Sequence, residues 1–374
     1  MNGKILIVVI VYILINSVCV CKASTVFDDD YDMSGLQRIV DESGVDFDME
    51  EYAGKLIAGK GIMDFENGQD YLDYLIRFIS SEIKQNAHIY SSIFAIAIAS
   101  GIIAGFGSIF NNTYVSMAGA NISYIMLLVI LLAGFVKVVD IAGDIVAVVF
   151  EFMRLMMPTY FLAVAASGNV NSAIGFYEIS LVVAAAVEWM FLNIYIPFTK
   201  IHVLLAIADS MSSEKRLSKI AGIVRGFQKW MLRTTIAAVS GINMIEGIIL
   251  PSVDNTTVSA VSRFAQAIPG IGNTANTVTS VALGSGSLIK NTIGVTGLVA
   301  VIAIAVIPAL RIAASSLAYN VISAIVQPIA DKGVTECISI VSEDIKMLYK
   351  MVITLAFVVI VTLAIVCAST NKIV

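Results

Sequence analysis

The chain has 374 residues, 58% of them hydrophobic and 14% charged, with a net charge of -5 and a mean hydropathy of +0.89. Soluble domains carry about a quarter of their residues as charged side chains, so this balance excludes an ordinary soluble enzyme. It points to an all-α, polytopic helical membrane protein with about seven spans and a small N-terminal extracytoplasmic helical domain.

The first 23 residues predict a signal peptide. Lys4 precedes a long apolar run, and Cys21 and Ala23 supply the small residues of a cleavage site. An uncleaved anchor is the other reading, and both leave residues 24–87 outside the cytoplasm. That region holds 15 acidic and 5 basic side chains. Within it Asp48 and Glu51 form a capping-box pattern, and Tyr71, Leu72, Leu75, Ile76 and Ile79 share one helical face. A small acidic helical domain is expected, its charge a solvated face or a docking surface for another extracytoplasmic protein.

Residues 88–374 form the polytopic domain. Apolar runs predict spans at 88–110, 122–139, 174–198, 234–250, 292–310, 312–330 and 351–368. Between the second and third, residues 141–167 are interrupted by Asp144, Glu151, Arg154 and Pro158, which suggests an interfacial or re-entrant segment with Glu151 and Arg154 paired three residues apart. Residues 199–233 hold seven basic and two acidic side chains, and the positive-inside rule makes them a cytoplasmic loop. Alternation along the spans then leaves 251–290 and 331–350 outside, with Arg311 and the C-terminus inside.

Material for catalysis is scarce. Of four cysteines, Cys19 and Cys21 fall in the presumed signal, leaving Cys337 and Cys367. His88 and His202 are the two histidines and read as ordinary residues near membrane boundaries. No metal set, triad or cofactor site is expected, and no enzyme activity. Gly270, Gly272 and Ala275 fit a G-x-G-x-x-A spacing, but no strand precedes them and no acidic residue follows until Asp331, so a dinucleotide loop is excluded. Lys290 is followed by Asn291, where a phosphate loop requires Ser or Thr.

A helical reading suits 251–290 better. Ile271, Ala275, Val278, Ala282 and Ile289 recur on one stripe, opposite Asn273, Thr274, Asn276, Thr277, Thr279, Ser280, Ser285 and Ser287. A lipid-surface helix usually displays Lys and Arg on its polar face. This uncharged face suits other subunits or an aqueous path, and rest on the outer leaflet is the competing reading. Polar groups inside the predicted spans are the other candidates, because an ionisable side chain at bilayer depth usually faces a partner or water. Asn193 and Asn243 lie there too. The candidate path or subunit contacts are Glu178, Glu188, Glu246, Asn273, Thr277, Ser280, Lys290 and Arg311. For Glu246 the competing reading is a structural pair with a basic group on another span.

The stretch "AQAIPGIGNTANTVTSVALGSGSLIKNTIGVTGLV", followed by "IPALRIAASSLAYNVISAIVQPIAD", resembles the C-terminal half of the stage III sporulation protein AE family of endospore-forming bacteria. The likeness lies in a Pro-Gly turn, a hydroxyl-rich helix, Lys290-Asn291 before Ile293-Gly294, Pro308 ahead of Arg311, and Gln327-Pro328, and it is strongest over 230–370. The resemblance implies a multi-pass protein of the mother-cell membrane around the forespore. It would be a subunit of a secretion-like channel, with other stage III sporulation A-type membrane and ring proteins, a cytoplasmic ATPase and possible copies of itself as partners, and no nucleic acid. A self-contained secondary transporter or permease is the alternative, although no internal repeat of the transporter kind is found. An intramembrane enzyme would need a nucleophile and base that the sequence does not offer.

Overall fold

Long uncharged runs leave a backbone in hydrocarbon no hydrogen-bond partner but itself, and every element among the described residues is helical. The computed structural model describes residues 34–42, 48, 80–109, 113–211, 215–266 and 272–370, with side chains described over these except at 34, 104–120, 211, 253–285 and 288. The expected signal peptide, most of the acidic region with its two amphipathic helices, and the turn at Pro269-Gly270 lie outside the described residues.

The helices are α1 (Ser34–Glu42), α2 (Ala87–Ile109), α3 (Thr113–Ala166), α4 (Val170–Met190), a π-helical turn (Phe191–Tyr195), α5 (Ile196–Met211), α6 (Ser218–Gln266), α7 (Gly272–Val326) and α8 (Lys332–Thr370). In α1, Leu36, Ile39 and Val40 are buried, and the helix packs against α3. The π turn sits immediately before Pro197. Proline has no N–H to give to the preceding turn, and a widened turn absorbs the mismatch. Asn193 Nδ2 donates to the Trp189 carbonyl at 3.0 Å within it.

Five of these rods, counting α4 to α5 as one, are long and apolar enough to cross a membrane, with part of α2 a shorter apolar helix. Two of the expected seven spans, 292–310 and most of 312–330, belong to one unbroken helix, α7, and the expected interfacial segment from 141 continues run 122–139 as one helix, α3. Pro158 and Pro308 lie inside α3 and α7 without ending them. Asp144, Glu151 and Arg154 are on exposed faces of α3, where charge does not interrupt a helix. Nor does Arg154 pair with Glu151: its partner is Glu188 on α4.

Fusion also moves the ends. Lys215 meets Glu336 at 3.1 Å, so the turn after α7 lies at the same end as the α5–α6 connection. Lys290 meets the Thr370 carbonyl at 3.0 Å, so the C-terminal end of α8 is level with the N-terminal part of α7. The sequence reading had put 331–350 opposite the basic stretch and the C-terminus opposite 251–290. One long α7 in place of two spans reverses both. The basic stretch itself is a helical hairpin rather than a loop, with Val203, Ile207, Met231 and Leu232 buried and Lys200, Lys219, Lys229 and Arg233 on exposed faces.

Central position falls to α7 and α8. In their most apolar stretches 72% and 67% of residues are buried, against 39% in α3, 33% in α4 to α5 and 28% in α6. Gly286 permits one close crossing: a Cβ there would lie 2.7 Å from the backbone carbonyl of Ala166 and 2.8 Å from the Ser167 nitrogen. At about 1.5 Å per residue, the 55 residues of α7 reach about 80 Å, more than twice a hydrocarbon core of about 30 Å. Charge marks where that length divides. Lys137 to Arg154 on α3, Glu188, Arg225 to Arg233 on α6, Arg311, and Glu343 to Lys350 on α8 occupy the middle of the bundle, tied together by cross-helix contacts. On one side of this belt residues 291–310 of α7 and 351–370 of α8 are charge-free. Twenty such residues match the bilayer core at about 30 Å. On the other side lie α2, with 23 residues, and residues 113–136 of α3, both free of Asp, Glu, Lys and Arg and each about 35 Å long, together with residues 312–326 of α7.

Candidate functional site: polar groups buried among the helices

Within a bundle this apolar, polar side chains that are both buried and clustered are the places where chemistry or coupling can occur. Three stand out. The first joins α5, α6 and α8. Asp344 is fully buried, with His202 Nδ1 2.8 Å from its Oδ2 and the Arg225 guanidinium 3.0 Å from its Oδ1. The arginine contact is a close charge pairing without hydrogen-bond alignment, since Oδ1 has no hydrogen-bond partner. Arg225 also reaches Glu343 at 3.2 Å. Beside them Tyr195 donates to the Met347 carbonyl at 3.1 Å, and Gln228 donates to the Thr199 hydroxyl at 2.7 Å. Sequence reasoning missed this group, because 142 residues separate His202 from Asp344. The available signal was a polar residue on the buried stripe of each of three helices.

The second lies in the belt, between α2, α3 and α7. Glu82 accepts from Asn86 Nδ2 at 3.0 Å, and Lys137 donates to Asn86 Oδ1 at 2.7 Å. Arg311 lies 3.8 Å from Glu82. Glu82, Asn86, Lys137, Ser315 and Tyr319 line one cleft, and Tyr90 meets Tyr319 edge-on at 5.7 Å.

The third lies at the C-terminal end of α8. Lys290 is 1% exposed and donates to the Thr370 carbonyl at 3.0 Å, while Asn169 Nδ2 reaches the same carbonyl at 3.3 Å. An ammonium at a helix C-terminus meets the carbonyls that the helix leaves without partners, so Lys290 caps α8. Tyr160 lies 2.9 Å from Cys367 one turn away. Asn169 Oδ1 and Asn291 Oδ1 are buried with no partner among the described residues.

The sequence candidates therefore part company. Lys290 and Arg311 enter separate clusters, and Glu188 pairs with Arg154. Glu178 is on an exposed face of α4. Glu246 is 5% exposed, and both its oxygens lack a hydrogen-bond partner among the described residues, so the basic partner proposed for it is absent there. Asn243, one turn earlier, donates to Thr362 at 2.7 Å. The backbone at Asn273, Thr277 and Ser280 is helical and runs without interruption into the apolar part of α7; their side chains fall outside the described ones. No group of three or more His, Cys, Asp or Glu suited to a metal ion occurs among the described residues.

Five long apolar rods, helical throughout and holding their polar groups in buried pairs, define a polytopic helical membrane protein. The sequence profile of the stage III sporulation protein AE family matches residues 47–370, and the chain belongs to that family. It is 23% identical over 306 residues to the stage III sporulation protein AE of Bacillus subtilis (strain 168), covering 79% of this chain and 77% of that one. No solved structure matches the chain.

Proposed function

We propose that this chain is the polytopic membrane subunit of a sporulation-specific, secretion-like channel linking mother cell and forespore, and that the conduit forms between subunits. Family membership supplies the sporulation context. The observation that carries the second half is the burial of α7 and α8 at the centre: the axis a single-chain pore would need is filled by packed side chains such as Val301, Ile304, Leu348 and Leu355.

In this reading the bundle sits in the mother-cell membrane around the forespore and meets neighbouring subunits there. Partners are the other stage III sporulation A-type membrane and ring proteins and a cytoplasmic ATPase. The test is affinity purification of tagged full-length chain from sporulating cells after mild cross-linking. Recovery with an ATPase and ring-forming proteins is expected. Recovery alone, together with solute uptake by proteoliposomes holding only this chain, would favour a self-contained transporter.

A further inference from the structure

Glu246 has no role in the assembly reading and stands apart from every ion pair described above. Its carboxylate is 95% removed from contact with solvent, at 5% exposure, inside a helix apolar enough to span the membrane. Neither oxygen is hydrogen-bonded. The contacts of Gly175 with Leu250 and of Thr235 with Met190 set the register of α4 against α6, and this register places Ser180 level with Glu246. Ser180 is 4% exposed, and its hydroxyl likewise has no partner among the described residues. Two orphaned polar groups at one level of adjacent helices are a costly arrangement unless something occupies it, since an unpaired buried charge is the most expensive state a carboxylate can adopt.

Among the described residues, the titratable groups packed around this level do not supply a counter-charge. On α4 they are Tyr177 and the exposed Glu178. On α8, where Ile365 and Ser369 face Gly247, the titratable group is Cys367, held by Tyr160. On α7 is Lys290, whose ammonium is committed to the Thr370 carbonyl. The titratable groups of α5 nearest in sequence, Lys200 and His202, belong to the level of the Asp344 cluster. A hard metal ion takes about six oxygen ligands, whereas among the described residues the unpartnered oxygens at this level are the two of Glu246 and the one of Ser180.

We propose that Glu246 is a membrane-embedded proton-binding site: the carboxylate takes one proton from water to become a neutral carboxylic acid, and releases it as a carboxylate. The bound proton removes the buried charge and provides an O–H donor facing the level of the Ser180 hydroxyl. The site would let the pH on one side of the membrane bear on how α4, α6 and α8 pack.

The test uses the full-length chain in nanodiscs and dicyclohexylcarbodiimide, an apolar reagent that adds to protonated carboxyl groups. Adducts are located by peptide mass spectrometry between pH 6 and 9, a range of about three units around neutrality. Labelling of Glu246 that declines progressively as pH rises, and its loss in Glu246→Gln, is the expected result. Labelling of exposed Glu178 without Glu246 would overturn the proposal, and so would Glu246 labelling that does not change with pH. Protection by sodium at constant pH would also overturn it, in favour of a metal cation. Because the wild-type labelling pattern decides, the conclusion holds even if Glu246→Gln folds poorly.

Discussion

Replacing Asp344 by Ala tests whether the α5–α6–α8 cluster holds the bundle together. Asp344 is fully buried, and His202 and Arg225 lie against its two oxygens with side chains only 7% and 15% exposed. Removing one partner of a buried charge cluster typically costs about 3–5 kcal/mol, because the remaining charge is left unpaired in a medium that cannot solvate it. Arg225 retains Glu343, which is 62% exposed, so the lower end, about 3 kcal/mol, is expected. Glu343→Ala removes a largely exposed pair and should cost at most about 1 kcal/mol. Unfolding can be followed in detergent through the thiols of Cys337 and Cys367, which are both free and buried, after Cys19 and Cys21 are replaced by Ser. A denaturant midpoint for Asp344→Ala equal to wild type, or a larger loss for Glu343→Ala than for Asp344→Ala, would refute the reasoning.

Gly286→Ala should destabilise by about 1–3 kcal/mol in the same unfolding assay, because the new methyl meets backbone of Ala166 and Ser167 that has no rotamer to change. Lys290→Met keeps the side chain's length and loses the charged donor to Thr370; with Asn169 still donating to that carbonyl, the loss should cost about 1 kcal/mol and speed amide exchange over 366–370. Cysteines introduced singly by Ser213→Cys and Ser285→Cys should label from opposite sides of protoplast membranes with an impermeant thiol reagent, Ser285→Cys from outside; labelling of both from one side would contradict the arrangement of α6 and α7.

Much of the architecture was legible in composition alone. Uncharged runs of eighteen or so residues admit little but helix in a bilayer, and each predicted run is largely helical, with only the end of 312–330 falling in the turn after α7. What misled was punctuation. Arg311 read as a span boundary, yet it lies inside α7. Asp144, Glu151, Arg154 and Pro158 read as interruptions of α3, yet the charges needed only an exposed face and a proline within a long helix can be accommodated by its neighbours. Counting Arg311 as a break added a span and misplaced the C-terminus. The candidate residues divided for a related reason. Burial of Glu246 and Lys290 followed from their apolar surroundings. Their partners did not, because Thr370, and Asp344 in the case of His202, are brought in by helices far away in sequence, and periodicity on one helix carries no record of which helix it meets.

Native mass spectrometry of the tagged chain, purified from sporulating cells in mild detergent, bears most directly on a conduit formed between subunits. The account predicts particles containing more than one copy of the chain together with ring-forming proteins and the ATPase. A monodisperse single chain that moves solute into liposomes unaided would contradict it.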